Sequence, residues 1–154
     1  VYDTVSASKM TMAVAQTISE TFKERGIEVD LFYIEDISKS TLKNYDYVIA
    51  GAPTMAFRPS KGITQFLDSL SSEALKGKRA AAFDTQIDMV ISGNAAKNIE
   101  KKLKKLGFVI FKPPLVVYVE SKDKTTWQFK TGELEKAKKW AQGAADTLQE
   151  NLEK

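Results

Sequence analysis

Three hydroxyl residues, Thr4, Ser6 and Ser8, alternate along the start of the chain, and Lys9 follows them directly. Next comes a stretch from Met10 to Arg25 with Met10, Val14, Ile18 and Phe22 at helical spacing, closed by Gly26. Hydroxyls and a cation at the start of a helix are the ingredients of an anion site. The first turn of a helix has backbone N–H groups without intrahelical partners, and the helix dipole favours negative charge there. Ser and Thr also serve as ordinary helix caps, so the spacing alone weighs the two readings about evenly. The loop lacks the glycines and the Gly-Lys-Ser/Thr ending of a nucleotide-binding P-loop.

The rest of the composition removes several chemistries. Among 154 residues there is no Cys and no His, which excludes thiolate and imidazole catalysis, disulfides and the usual zinc sites. Asp84 and Asp88 lie close together, but two carboxylates in sequence do not make an acid–base pair, and each reads as a cap or turn residue. The net charge is +3. The densest basic run, KNIEKKLKKLGF, puts Ile99, Leu103 and Leu106 on one stripe and its lysines on the other faces. That is a solvated helix face without the interleaved aromatics of a nucleic-acid surface. No apolar run approaches the ~18–20 residues of a membrane helix, and no signal peptide is visible, so a cytoplasmic location without membrane contact is expected.

The elements that must hold the first loop alternate in period. IEVDLFYI reads as a strand with Val29, Leu31 and Tyr33 on one face, and SKSTLKNY as a short turn or helix. YVIAGAP and RAAAFDT are continuous apolar runs of the kind buried in a parallel sheet. Ile63, Phe66, Leu67 and Leu70 form one helical stripe, and Ala95–Leu106 another that Gly107 ends. FVIF and LVVYV are strands on either side of Pro113-Pro114, where pairing must break or bend. A last helix from about Gly132 to Leu148 turns Leu134, Ala137, Ala141, Ala144 and Leu148 inward. The sum is one domain over residues 1–154, an α/β fold with a doubly wound parallel sheet of five strands. The opening VYD is short for a central strand, and further residues of that strand are expected upstream. Ligands of such sheets bind beyond the carboxyl ends of the strands, in the loops Thr4–Lys9, Pro53–Gly62, Thr85–Asn94 and Glu120–Thr131.

Three of these loops carry a resemblance. YDTVSASK resembles the phosphate loop that follows the first strand of flavodoxins, and GAPTMAFRPSKGITQFLDSL is similar to their second loop. FDTQIDMVISGNAAKNIEKKLKKLGF resembles the third, in the same order along nearly the whole chain. The nearest likeness is to single-domain flavodoxins and to the flavodoxin domains of diiron flavoproteins. The resemblance implies the strand order 2-1-3-4-5 in a three-layer αβα sandwich, non-covalent FMN, and electron transfer to an unidentified redox partner protein. It also implies site residues. Thr4, Ser6, Ala7, Ser8 and Lys9 would hold the phosphate, and Pro53, Thr54, Met55, Ala56, Phe57 and Arg58 would line the ring. Thr85, Gln86, Ile87, Met89, Gly93 and Asn94 would close its other side.

This chain departs from the family pattern at Ala7, at Lys9 and at Ala56, and it has no aromatic between Thr85 and Asn94. Met89 or Ile87 would then cover the ring, or Trp127 and Phe129 would reach it from the last loop, although strand-edge packing suits that pair better. A redox carrier fits better than a stand-alone enzyme. The alternatives are a flavodoxin-like interaction or regulatory module that has lost its flavin and an NAD(P)H-dependent flavin reductase. Oligomeric state is left open by the sequence.

Overall fold

The computed structural model describes residues 1–4, 9–89, 91 and 93–154. Its helices are α1 (Met10–Glu24), α2 (Lys61–Asp68), α3 (Ala95–Lys105) and α4 (Glu133–Leu152), with a 3-10 turn at Thr41–Asn44. The strands are β1 (Tyr47–Met55), β2 (Arg58–Pro59), β3 (Arg79–Ile87), β4 (Val109–Ile110), β5 (Leu115–Ser121) and β6 (Trp127–Phe129). β1 and β3 run parallel from Tyr47↔Arg79 to Pro53↔Thr85. β5 continues the parallel sheet on the far side of β3, from Phe83↔Leu115 to Ile87↔Val119.

On the other flank, Tyr2 bridges both Gly51 of β1 and Tyr33 in parallel. The backbone order is therefore the segment at Tyr33, the segment at Tyr2, β1, β3, β5, which is the expected 2-1-3-4-5. The two outer segments meet in bridges rather than ladders. Tyr2 exchanges backbone hydrogen bonds with Phe32 and Ile34, and among the described residues the alternating stretch expected to be a full strand pairs at Tyr33 alone, with Leu31 exposed. β2 and β6 add short antiparallel pieces, making the sheet mixed rather than wholly parallel.

Pro113-Pro114 divides one edge row in two. β4 pairs with the start of β3, and β5 pairs with its end, as two prolines without N–H donors require.

Side-chain alternation along the strands sends residues to two cores. Phe83, Leu115 and Val117 pack with Val14, Ile18 and Phe22 of α1 and with Ala137, Ala141 and Ala144 of α4. Val48, Ala50, Ala52, Ala80 and Ala82 pack with Ile63 and Leu67 of α2 and Ile99 and Leu103 of α3. The alanines let the helices lie close to the sheet. Leu134 is an exception to the expected inward stripe of α4 and is exposed. In that first turn Glu133 takes the sheet-facing place, accepting the N–H of Tyr118 at 2.9 Å.

Candidate flavin site

The carboxyl ends of the strands bring the second and third expected loops together at Phe57 and Gly93. Ser6, Ala7 and Ser8 lie outside the described residues. Thr4 and Lys9, on either side of them, are described. Thr4 donates its backbone N–H to Asp3 Oδ1 at 2.8 Å, while its own hydroxyl is buried without a hydrogen-bond partner. Lys9 sits at the N-cap of α1 with φ 52°, a left-handed conformation, and makes no side-chain cap bond. The first turn of α1 contains no acidic residue.

The second loop is a tight hairpin. Met55 pairs with Arg58, leaving Ala56 and Phe57 as the two turn residues, with φ 46° and 71°. Two consecutive left-handed residues define a type I′ turn, which normally takes Asn-Gly or Asp-Gly. Each residue with a Cβ in that conformation costs roughly 1–2 kcal/mol. The departure at Ala56 thus takes the form of a strained turn that surrounding contacts must hold.

One of those contacts comes from the third loop. Phe57 bridges Gly93, whose φ is 79°, and a Cβ on Gly93 would stand 2.5–2.7 Å from the Phe57 backbone. The glycine is required both by its φ and by this approach.

The ring-lining candidates divide by exposure. Pro53, Thr85 and Gln86 are buried, and Thr54 and Asn94 are intermediate. Thr85 shares a 2.7 Å hydrogen bond with Thr11 of α1, tying the first helix to β3. Asn94 caps α3, accepting the Lys97 N–H at 2.9 Å. Met55, Phe57, Ile87, Met89 and Ile91 are all exposed, and Phe57 shows 58% of its surface. Five large apolar side chains at the tips of two adjoining loops form an uncovered apolar rim, which is where a flat aromatic ligand gains most from burial. Arg58 is exposed beside them. Asp88 pairs with Lys130 at 2.7 Å, joining the third loop to the residue after β6. Phe129 packs on the α1/α4 core, and Trp127 shares its face of β6, so both serve the strand edge.

One residue here was read only in part from sequence. Asp84 is no exposed turn: it does accept a first-turn amide of α3, but from within β3 and at 0% exposure. Its Oδ2 accepts from Thr54 Oγ1 at 2.9 Å, Gln86 Nε2 at 2.8 Å and the Ala96 N–H at 3.2 Å. Its Oδ1 is buried without a partner. Burial pushes the carboxyl above the usual range, and the surrounding donors offset only part of that. The signal in the sequence was an acid at the end of an otherwise apolar strand run.

Asp3 plays the matching part at α2. It is buried, Ser60 at the N-cap of α2 donates its hydroxyl to Oδ2, and a Cβ on Gly62 would lie 2.5 Å from that oxygen. At α4, Glu133 and Glu135 occupy the first turn. Among the described residues, α1 alone has no carboxylate of the chain at its N-terminus.

The fold is a doubly wound sheet with an apolar rim on its second and third loops and no acidic residue in the first turn of α1. The comparisons with known proteins give its family. The flavodoxin family model matches residues 4–140. A flavodoxin of Maridesulfovibrio salexigens is 32% identical over 110 residues, spanning 68% of this chain and 75% of that protein. The chain belongs to the flavodoxin family, and flavodoxins bind FMN and transfer electrons.

Solved structures agree in fold. An archaeal flavodoxin superposes with a TM-score of 0.74 at 22% identity, covering 96% of each chain. Flavodoxin 1 of Bacillus cereus gives 0.73 at 23%, covering 96% of this chain and 95% of the other. The rubredoxin oxygen:oxidoreductase of Desulfovibrio gigas gives 0.78 at 22%, covering 98% of this chain but 35% of that one. At these identities the likeness speaks for the fold alone.

The described residues fit FMN. Thr4 has a buried hydroxyl awaiting a partner, Lys9 supplies positive charge, and the α1 N-terminus has no internal anion. The apolar rim suits the ring.

Proposed function

We propose that this chain holds FMN with the phosphate on the N-terminus of α1 and the ring between the second and third loops, and exchanges electrons with an acidic partner protein. The observation that carries the reading is the contrast among helix N-termini of the described residues: α2, α3 and α4 meet carboxylates of the chain itself, and α1 opens at Lys9 with no acidic residue in its first turn.

The chain's own residues have limited but definite tasks. The first-turn amides of α1, the hydroxyls of Thr4, Ser6 and Ser8, and the Lys9 ammonium would bind and orient the phosphate. Met55, Phe57, Ile87 and Met89 would exclude water from the faces and edge of the ring. FMN supplies the electron chemistry, taking up one or two electrons when bound. With no His or Cys in the chain, the protein's part is binding and electrostatics rather than side-chain acid–base catalysis. Solvated lysines of α3, among them Lys97, Lys101 and Lys105, together with the net charge of +3, favour an acidic partner whose association slows as salt rises. Among the described residues no helix is long and apolar enough to cross a membrane, and the proposed location is the cytoplasm.

The test is Ser6→Ala. One charge-assisted hydrogen bond contributes about 1.5–3 kcal/mol, so FMN affinity is expected to fall about tenfold or more. An unchanged dissociation constant removes Ser6 from the phosphate site. Purified protein that binds no FMN at micromolar concentration supports the flavin-free module instead.

A further inference from the structure

The buried carboxyl of Asp84 joins the two loops that flank the ring site. Thr54 belongs to the end of β1, two residues before the strained Ala56-Phe57 turn, and Ala95 and Ala96 are the first residues of α3, directly after the third loop. Thr54 Oγ1 donates to Asp84 Oδ2 at 2.9 Å and accepts the Ala95 N–H at 3.0 Å. The Ala96 N–H reaches the same carboxyl oxygen at 3.2 Å. Asp84 and Thr54 thereby satisfy two of the orphan amides of α3 and fix that helix to β1 through one continuous chain of hydrogen bonds.

The arrangement is not what core stability alone would select. Neighbouring positions on that face of β3 are Ala80 and Ala82, and a carboxyl fully removed from water, with one oxygen unpartnered, is costly. Residues that carry such a cost commonly serve a site. Here the second and third loops touch directly at Phe57 and Gly93, three residues beyond Thr54 and two before Ala95.

We infer that Asp84 is a positioning residue of the flavin site, clamping the second loop to the third so that the slot for the ring has a fixed width. It rests on the flavin reading for its ligand, but the clamp itself is a property of the chain. Asp84 touches neither phosphate nor ring in this scheme. It acts through Thr54 and the start of α3.

The experiment compares Asp84→Leu, Asp84→Asn and Thr54→Val at a temperature where each is folded by circular dichroism. FMN, riboflavin (the same ring without phosphate) and inorganic phosphate are titrated against each protein. Asp84→Leu and Thr54→Val should each weaken FMN and riboflavin by the same factor, about tenfold or more for buried polar groups left without a partner, with phosphate affinity unchanged. The double variant should be no worse than the worse single one, since both break one unit. Asp84→Asn, which keeps an acceptor in place of Oδ2, should stay within about threefold of the parent.

Equal loss of ring and phosphate binding would mean general destabilisation and overturn the clamp. So would an unaffected Asp84→Leu, or an Asp84→Asn as poor as the leucine. If the parent binds no flavin, the flavin reading fails, and amide exchange still decides the clamp. Ala95 and Ala96 must exchange faster in Asp84→Leu and at the parental rate in Asp84→Asn, and equal rates in all three refute it.

Discussion

The N-termini of α1 and α3 are built from the same backbone and treated in opposite ways. α3 follows the parallel strand β3, α1 follows the segment that bridges β1 in parallel at Tyr2, and both present amides with no intrahelical partner. At α3 the chain supplies its own acid, Asp84, with Asn94 as a side-chain cap. At α1 it supplies no acid, no side-chain cap bond at Lys9, and a buried hydroxyl on Thr4 without a partner. The difference teaches that an anion site in this fold is recognised less by what is present than by which helix lacks its internal counter-charge. Hydroxyls near a helix start are common, whereas one uncompensated terminus among the four helices of the described residues is informative.

Making α1 resemble α3 is the strongest way to break the contrast. Lys9→Asp places a carboxylate at the N-cap, where aspartate tolerates the left-handed φ and caps well. FMN affinity should fall by about a hundredfold, as one cation is lost and one anion gained beside the phosphate. Thermal stability of the flavin-free protein should hold or rise, because the new charge complements the helix dipole by roughly 0.3–1 kcal/mol. Fluorescence titration and a melting curve check both halves.

Gly93→Ala strikes the other wall. The added Cβ collides with the Phe57 backbone and forces a left-handed alanine, a cost of roughly 1–2 kcal/mol or more. The loops should separate, with riboflavin and FMN both weakened about tenfold and phosphate binding to α1 unaffected. Parallel loss of phosphate binding would show that the two regions are not independent.

The third test uses pH. Burial raises the Asp84 pKa, so the folded protein holds this proton more tightly than the unfolded chain. Below about pH 4, the ordinary carboxylate range, both states are protonated and the side chain contributes no pH dependence. As pH rises through that range the unfolded chain loses the proton first, and stability falls until the raised folded pKa is reached. Urea denaturation should therefore show Asp84→Asn gaining on the parent protein as pH rises above about 4, the ordinary carboxylate value.

The smallest effect is expected at Ala56→Gly. Relief of one left-handed Cβ is opposed by the greater freedom of glycine in the unfolded chain, leaving a net gain under about 1 kcal/mol. A small rise in melting temperature without a change in ring affinity would locate the strain in the turn rather than in binding.

The helices were legible because Val14, Ile18 and Phe22, or Ile99 and Leu103, repeat at 3.6-residue spacing, and the break at Pro113-Pro114 because proline cannot pair. The strand order came from resemblance and is borne out by the bridges at Tyr2. What was not legible depends on contacts distant in sequence. Ala-Phe carries none of the Gly or Asn that announces a type I′ turn, since Gly93 and β2 hold it from outside. The burial of Asp84 was not legible because charged residues are rarely fully buried, and its partner Thr54 lies 30 residues away. The alternation of Val29, Leu31 and Tyr33 was visible, but a strand also needs a neighbour along its length.

The central claim, that α1 is reserved for the flavin phosphate, is tested most directly by the ratio of FMN to riboflavin affinity in the unmodified chain. Two or more charge-assisted hydrogen bonds at about 1.5–3 kcal/mol each predict that FMN binds at least about a hundredfold tighter. Equal affinity for the two would mean that the phosphate is not captured there, and would contradict the assignment of the α1 N-terminus.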